Sequence, residues 1–382
     1  MKRSLPRPSG THLERRGAAL ALLIATATLL ELAAGIGLAY VAGFGKVRGV
    51  LTRFDAVWLL VVVGALLISF IGYYQVYQGI FRVEGGPRLS WRHMTAVVAA
   101  GFSGFLSYNG GALDAYVLQS AGADETEAKA RAAALAGLEH GVLAIGGTIT
   151  AIIVLVLGLS EPSLSYTLPW AIIPIPGFLL GFWVAERYRG RFQGKPGLRR
   201  RICIFLDSIH LIRVLFAHPL RWGAALAGMA LFWAAEALAA RAGLAAFGFY
   251  MDAAALFVGF ATGMVFTRRI GPLAGAGVLA LLLPLTLLVS GAPLAIAIVG
   301  VFVYRLLALW LPLPVSLAVL ATLRKLPELA EALPGGGGEP SSEAPPAPAG
   351  QLAAVESATE RPVTVDAPPV TADAPPVPPA VV

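Results

Sequence analysis

The long apolar runs constrain this chain most. Residues 18–44, 57–80, 142–159, 222–240 and 295–323 each reach or approach the roughly 20 residues that a helix needs to cross a bilayer. In hydrocarbon every backbone N–H and C=O must bond within its own segment, so such runs are helical; a membrane barrel would show short alternating segments instead. The charge content points the same way. Only 13% of the 382 residues are charged and 57% are hydrophobic, against about 25% charged in a soluble domain. The expected fold is an all-α polytopic membrane protein with about six full spans plus two broken helical hairpins. Arg15 and Arg16 precede an apolar stretch of about 27 residues, longer than a signal-peptide core, so the first run is expected to remain as an anchor.

Three regions follow: a basic leader over 1–16, a membrane domain over 17–323, and a Pro- and Ala-rich segment over 334–382 that lacks the apolar residues to build a core and is expected to be disordered. Two apolar stretches are interrupted. Residues 94–121 are broken by Asn109, Gly110 and Gly111, and residues 253–290 by Gly271 and Pro272, with Gly275 and Gly277 following. Gly and Pro together oppose helix continuation, so each stretch reads as two short helices whose ends lie on one side of the membrane.

Charge placement supports this. With the N-terminus inside, the segments 1–16, 81–93, 119–131, 185–221 and 323–325 hold 21 Lys and Arg, while the opposite loops hold 3. That is the asymmetry of cytoplasmic against external loops, and it places both termini in the cytoplasm. It also explains the net charge of +7 without nucleic acid as a partner. The pattern span, broken hairpin, span then occurs twice, over 57–158 and 222–322, in opposite orientations. Gly110 precedes Glu139 by 29 residues and Gly275 precedes Arg305 by 30. Inverted repeats with broken helices near the midplane are a transporter architecture.

Charges inside spans are costly and mark candidate sites. Glu139, with His140 beside it, and Arg305 occupy related positions and are expected to pair across the repeat interface, as a gate, a headgroup contact or a packing contact. Glu236 is expected to pair locally with Arg241. Glu31 has no local partner and faces a cavity or another helix. Arg268 and Arg269 could hold a lipid phosphate beside the Gly-rich break, or end a short crossing as ordinary cytoplasmic arginines. Asn109, Gly110, Gly111 and Asp114 form the other break, where free carbonyls could meet a cation or a headgroup. The basic segment 185–221, with nine Lys and Arg among apolar residues, reads as an amphipathic element on anionic lipid.

Catalytic patterns are not found. The Gly-Lys at 194–195 lacks nucleotide-loop spacing, and no GxSxG occurs. One cysteine and five scattered histidines exclude a disulfide framework and lead to the expectation of no metal, no cofactor and no enzymatic activity.

Three stretches carry a resemblance: 106–118 (LSYNGGALDAYVL), 135–142 with Glu139, and 269–277 (RIGPLAGAG) followed by 303–312 (VYRLLALWLP). Their order and spacing resemble the flippase-like transmembrane family that includes the membrane half of lysylphosphatidylglycerol synthetases. The likeness covers about residues 50–323. Two of these motifs depart from it: Ala112 and Asp114 stand about where the family usually has an acidic residue and an Arg, and Val278, Leu279 and Ala280 stand where it usually has a Glu. The resemblance implies a lipid translocator of the plasma membrane, without a synthetase half, that takes membrane lipids as partners. A scaffold for an envelope-synthesis enzyme and a secondary transporter of a small polar solute are the other expectations. Oligomeric state is not legible.

Overall fold

The computed structural model describes residues 17–102, 111–159, 162–192, 197–265 and 275–324. Among the described residues there are helices and no strands. In chain order these are α1 (Gly17–Ala42), α2 (Phe44–Leu51), α3 (Val57–Arg82), α4 (Trp91–Phe102), α5 (Ala112–Ser120), α6 (Glu125–Leu157), α7 (Leu164–Ile172), α8 (Pro174–Phe192), α9 (Leu198–Ala217), α10 (Pro219–Ala245), α11 (Ala253–Gly263), α12 (Val278–Val289), α13 (Leu294–Arg305) and α14 (Leu313–Arg324). Six apolar stretches are long enough to cross a membrane: Ala21–Ala42, Val57–Gly85, Glu125–Leu157, Leu164–Phe192, Pro219–Ala245 and Leu294–Val319. The chain is a polytopic all-α membrane protein.

Local signals in the sequence start these helices. Asp124 caps α6, its carboxylate accepting from Thr126 N at 2.7 Å and Glu127 N at 2.9 Å, and Asp252 does the same for α11 through Ala254 N and Ala255 N. Pro219 opens α10, where its missing N–H costs no hydrogen bond.

The centre is the antiparallel pair α3 and α10. It is closely packed because small residues face each other. A Cβ on Gly72 would stand 2.5 Å from the carbonyl oxygen of Gly228, and a Cβ on Gly228 would stand 2.6 Å from the carbonyl oxygen of Gly72. The neighbours repeat the reciprocity: Leu231 lies against Gly72 as Gln75 lies against Gly228. Both pairs, 72 with 228 and 75 with 231, have the same sequence offset of 156. A contact that maps onto itself when its two helices are exchanged marks a local two-fold relation, and the packing around it follows. Helix α4 lies on α14 while α11 lies on α6, so each half lays the first helix of its hairpin on the last span of the other half.

Both interrupted regions return to the face they left. Arg131, two turns into α6, donates from Nη1 to the carbonyls of Ile80 at 2.9 Å and Val83 at 2.8 Å at the end of α3. The start of α6 therefore stands beside the end of α3. In the second half, Gly243 near the end of α10 meets Gly300 in α13, with a built Cβ only 2.5 Å from the Gly300 carbonyl. The face where α3 ends also carries Arg82, Arg131, Arg189 and Arg200 and is called the basic face below. At the opposite face Asp55 N donates to Ala246 O at 2.8 Å, and the Phe54 and Phe247 rings meet at 5.4 Å.

The basic segment differs from the expected surface element. Helices α8 and α9 pack on each other and on α6. Cys203, Leu206, Leu211, Ile212 and Leu215 of α9 are buried, and three arginines form ion pairs: Arg189–Asp207, Arg200–Glu125 and Arg213–Glu186. Apolar residues on one face of α9 outweigh its charge and draw it onto α6, while Arg199 and Arg201 remain exposed. Burial, helped by the neighbouring Asp207 carboxylate, pushes the Cys203 thiol up to about 11.

Two outcomes follow. Gly72→Val places two methyls against the backbone of α10 and is expected to cost about 3 kcal/mol or more, since overpacking that neighbouring side chains cannot relieve is destabilising; thermal unfolding in detergent reads this, and an unchanged midpoint would refute the contact. Cys203 in the folded protein should alkylate at least about a hundredfold more slowly than a free thiol near pH 8, because so little of it is thiolate, and at the free rate once unfolded.

Candidate functional site

Helix α3 is largely apolar and carries a stripe of hydroxyls. Ser69, Tyr73 and Tyr77 are spaced four residues apart and lie on one side of it, because four residues return a helix to nearly the same face. All three are buried. Each hydroxyl meets a carboxylate from a different helix. Ser69 Oγ donates to Glu236 Oε1 of α10 at 2.9 Å, Tyr73 Oη to Glu139 Oε1 of α6 at 2.9 Å, and Tyr77 Oη to Asp114 Oδ1 of α5 at 2.9 Å. The rungs rise about 6 Å each along the helix, so the ladder runs from Ser69, midway along α3, towards the basic face.

The carboxylates are deeply placed: Asp114 is 1% exposed, Glu139 0% and Glu236 3%. Burying such groups is costly unless hydrogen bonds compensate, and Glu236 receives a second one at its other oxygen. Tyr304 Oη of α13 donates to Glu236 Oε2 at 2.5 Å. Trp233 Nε1 of α10 donates to the backbone carbonyl of Glu139 at 2.8 Å. The rings tighten the group: Tyr73 stacks on Phe232 at 4.8 Å and meets Tyr77 edge-on at 5.2 Å.

Arg305 lies elsewhere. Its Nε donates to Glu31 Oε1 of α1 at 3.1 Å, and its Nη2 contacts the same oxygen. The expected Glu139–Arg305 pair is therefore not formed. The spacing in the sequence suggests related positions, but related positions on opposite halves need not meet; α1 supplies the carboxylate instead. Gly277, at φ +77°, sits beside this pair, and its built Cβ would stand 3.0 Å from Cβ of Leu30, so α1 touches both the second hairpin and α13. The expected Glu236–Arg241 pair is also corrected. Glu236 turns inward to two hydroxyls, and Arg241 Nε donates to the carbonyl of Met251 at 3.1 Å.

The structure brings Asp114 and Glu139 to one stripe and Gly277 and Arg305 to one contact. Gly111, at φ +87°, precedes α5, and its built Cβ would stand 2.9 Å from Cβ of Ala132; the close approach of α5 to α6 sets Asp114 in reach of Tyr77. Gly275 adopts φ +71° just before α12. Asn109, Gly110, Arg268, Arg269 and Gly271 lie outside the described residues. His140 sits next to Glu139 with Nδ1 at 2.7 Å from Ala136 O and Nε2 at 3.3 Å from Val265 O of the second half. The expectations did not include Ser69, Tyr73, Tyr77 and Tyr304; hydroxyls four apart along one face of a largely apolar helix were the available signal for the first three.

A separate open cavity of about 280 Å³ lies at the basic face, lined by Glu84, Asp124, Glu127, Arg131, Asp207 and His210 among others. Glu84 adopts φ +52° there and meets His210 Nε2 at 3.0 Å. Among the described residues no group of three His, Cys, Asp or Glu could hold a metal ion.

No family model matches the sequence, and no curated protein matches it.

The Glu31–Arg305 contact generates its own test. Arg305→Leu leaves a buried carboxylate unpaired and is expected to cost about 3–5 kcal/mol, whereas a joint Glu31→Leu/Arg305→Leu change recovers most of that loss. Unfolding midpoints of the two variants check it; equal destabilisation would refute the pairing.

Proposed function

We propose that this protein translocates lipid, or a lipid-linked headgroup, across the cell membrane, with the polar ladder of α3 as part of the route. The observation that carries the reading is the three buried carboxylates held by hydroxyls beside the crossing of two inverted halves. Apolar side chains would fill the same space at lower cost, so a polar group bound or passed there is the reading under which the expense has a use. In this reading, rocking about the α3–α10 crossing alternates the face to which the ladder opens, as inverted-repeat carriers do.

The resemblance to the flippase-like family supports lipid as the cargo. Helix α1 and the α7–α8 span expose Leu22, Leu29, Tyr40, Leu179, Leu180 and Trp183, so the centre is flanked by helices whose outer surfaces suit acyl chains. In this reading the basic face is cytoplasmic, movement is a binding-and-release cycle with no bond made or broken, and Glu139 and Asp114 orient the headgroup. The small cavity at the basic face favours a second reading, a carrier of a small polar solute, since its mixed acidic and basic lining suits a zwitterion.

In liposomes, the protein is expected to move headgroup-labelled phospholipid between leaflets faster than empty vesicles do. Glu139→Gln, which keeps the side chain's shape, is expected to slow this about tenfold or more, the loss of one charge-assisted contact of about 1.5–3 kcal/mol. Competition by water-soluble zwitterions in place of lipids would favour the solute reading. No movement of either class by folded protein would remove both.

A further inference from the structure

Two buried hydroxyls, Tyr166 Oη of α7 and Ser290 Oγ at the end of α12, have no hydrogen-bond partner among the described residues. Buried polar atoms without partners are rare and costly, so each needs a reason. The two belong to one cluster. The Tyr166 hydroxyl lies within reach of the hydroxyls of Ser290, Thr262 and Thr286, although it stands at hydrogen-bond geometry with none of them. Helix register brings these groups together. Tyr166 and Trp170 are four apart on α7, and Trp170 Nε1 donates to Thr262 Oγ1 of α11 at 2.8 Å. Thr286 and Ser290, also four apart, close the last turn of α12. Glycines of α11 make the room. A Cβ on Gly259 would stand 2.5 Å from Ser290 Oγ and 3.0 Å from the Thr286 carbonyl oxygen, and one on Gly263 would stand 2.9 Å from Thr286 Oγ1. Ser290 is 2% exposed.

The hydrogens of the cluster say what its oxygens face. Thr262 Oγ1 donates to Val258 O at 2.8 Å, and Thr286 Oγ1 donates to Leu283 O at 3.0 Å. Both hydrogens are spent on the residue's own helix, so towards the cluster the two threonines present lone pairs only. That opposes an anion. The cluster also lies at the C-terminal end of α12, where helix carbonyls carry partial negative charge. A water needs a space of its own, about 10–15 Å³, and both orphan oxygens are closed off from any such space. A small cation that takes lone pairs directly fits these conditions. Oxygen ligands select hard ions, and a set of neutral oxygens at a helix end can offset no more than a single charge. Sodium is close in size to Ca²⁺, whose oxygen ligands stand at roughly 2.3–2.6 Å, nearer than a hydrogen bond.

We propose that a sodium ion binds where α7, α11 and α12 meet, held by Tyr166 Oη, Thr262 Oγ1, Thr286 Oγ1 and Ser290 Oγ. The carbonyl end of a short helix in a broken pair is the kind of place where membrane carriers coordinate sodium. Helices α11 and α12 form the second hairpin, whereas α7 lies between the two repeats. The ion therefore ties that hairpin to a span outside both halves, and binding firms the contact that Trp170 and Thr262 already make. This inference does not rest on the translocation reading.

The test uses the full-length protein in detergent, in sodium, potassium or choline chloride at equal ionic strength. It reads the thermal unfolding midpoint and the equilibrium binding of radioactive sodium. The midpoint is expected to rise with sodium, as binding to the folded state alone requires, and to stay fixed in the other two salts. Ser290→Ala and Thr286→Val each remove a ligand oxygen and are expected to weaken sodium binding about tenfold or more, since affinity follows ligand number. Ser290→Ala also separates a site from simple packing. In choline it deletes a hydroxyl that has no partner, so it should be at least as stable as the wild type, and its deficit should show in sodium alone. Tyr166→Phe carries the same expectation and serves should either of the others fail to fold. A midpoint that ignores sodium, with no ion bound, overturns the proposal and leaves a water or a turned side chain to satisfy the hydroxyls. Equal stabilisation by potassium overturns the choice of sodium. Sodium binding undiminished in the variants overturns its location.

Discussion

The close approach of α3 and α10 at Gly72 and Gly228 is the contact on which the remaining packing depends. Apolar side chains gain nothing by leaving lipid for protein, so helices in a membrane associate through backbone proximity, van der Waals contact and polar bonds. Two glycines facing each other let the main chains come close enough for all three. From that crossing the ladder residues of α3 reach carboxylates on α5, α6 and α10, and each half can lay its hairpin on the last span of the other. A larger residue at the crossing would separate not one pair of helices but every bond that spans the two halves.

The ladder shows how polarity is tolerated so far from water. None of its three rungs is an ion pair along α3; each is a hydroxyl meeting a carboxylate. A hydroxyl can donate or accept, so it follows a change of protonation without moving, whereas a guanidinium only donates. Among the described residues the one ion pair of comparable burial, Glu31–Arg305, lies apart from the ladder and ties α1 to α13. The two kinds of contact divide the interior into an adaptable polar column and a fixed clamp.

Much of this was legible in the sequence. The spans, the two returns and the inverted order of the halves follow from hydropathy and from where Lys and Arg fall, because bilayer thickness and loop charge act on composition directly. Glu139, Glu236, Arg305 and Glu31 stood out because charge inside a span is expensive, and Asp114 because it adjoins the Gly-rich break. Their partners did not. Glu139 was expected to meet Arg305 because the repeat relates their positions, yet a symmetry relation says where equivalent residues sit and not which residues touch. Glu236 has Arg241 within reach along its own helix but faces the other way, towards Ser69 and Tyr304. The stripe of Ser69, Tyr73 and Tyr77 passed unremarked because Tyr and Ser are inexpensive in a span and raise no alarm singly. The basic segment misled for a related reason: nine charges draw the eye to a surface, while the apolar face of α9 decides where it packs.

The two halves are not equal partners, because α1 belongs to neither and packs on α12 and α13 of the second. If inverted halves rock between two facing states, perfect symmetry would make those states equal in energy. A clamp present on one side alone lifts that degeneracy. In a molecule that rocks in this way, the Glu31–Arg305 contact would set a resting direction, a built-in polarity that neither repeat possesses by itself.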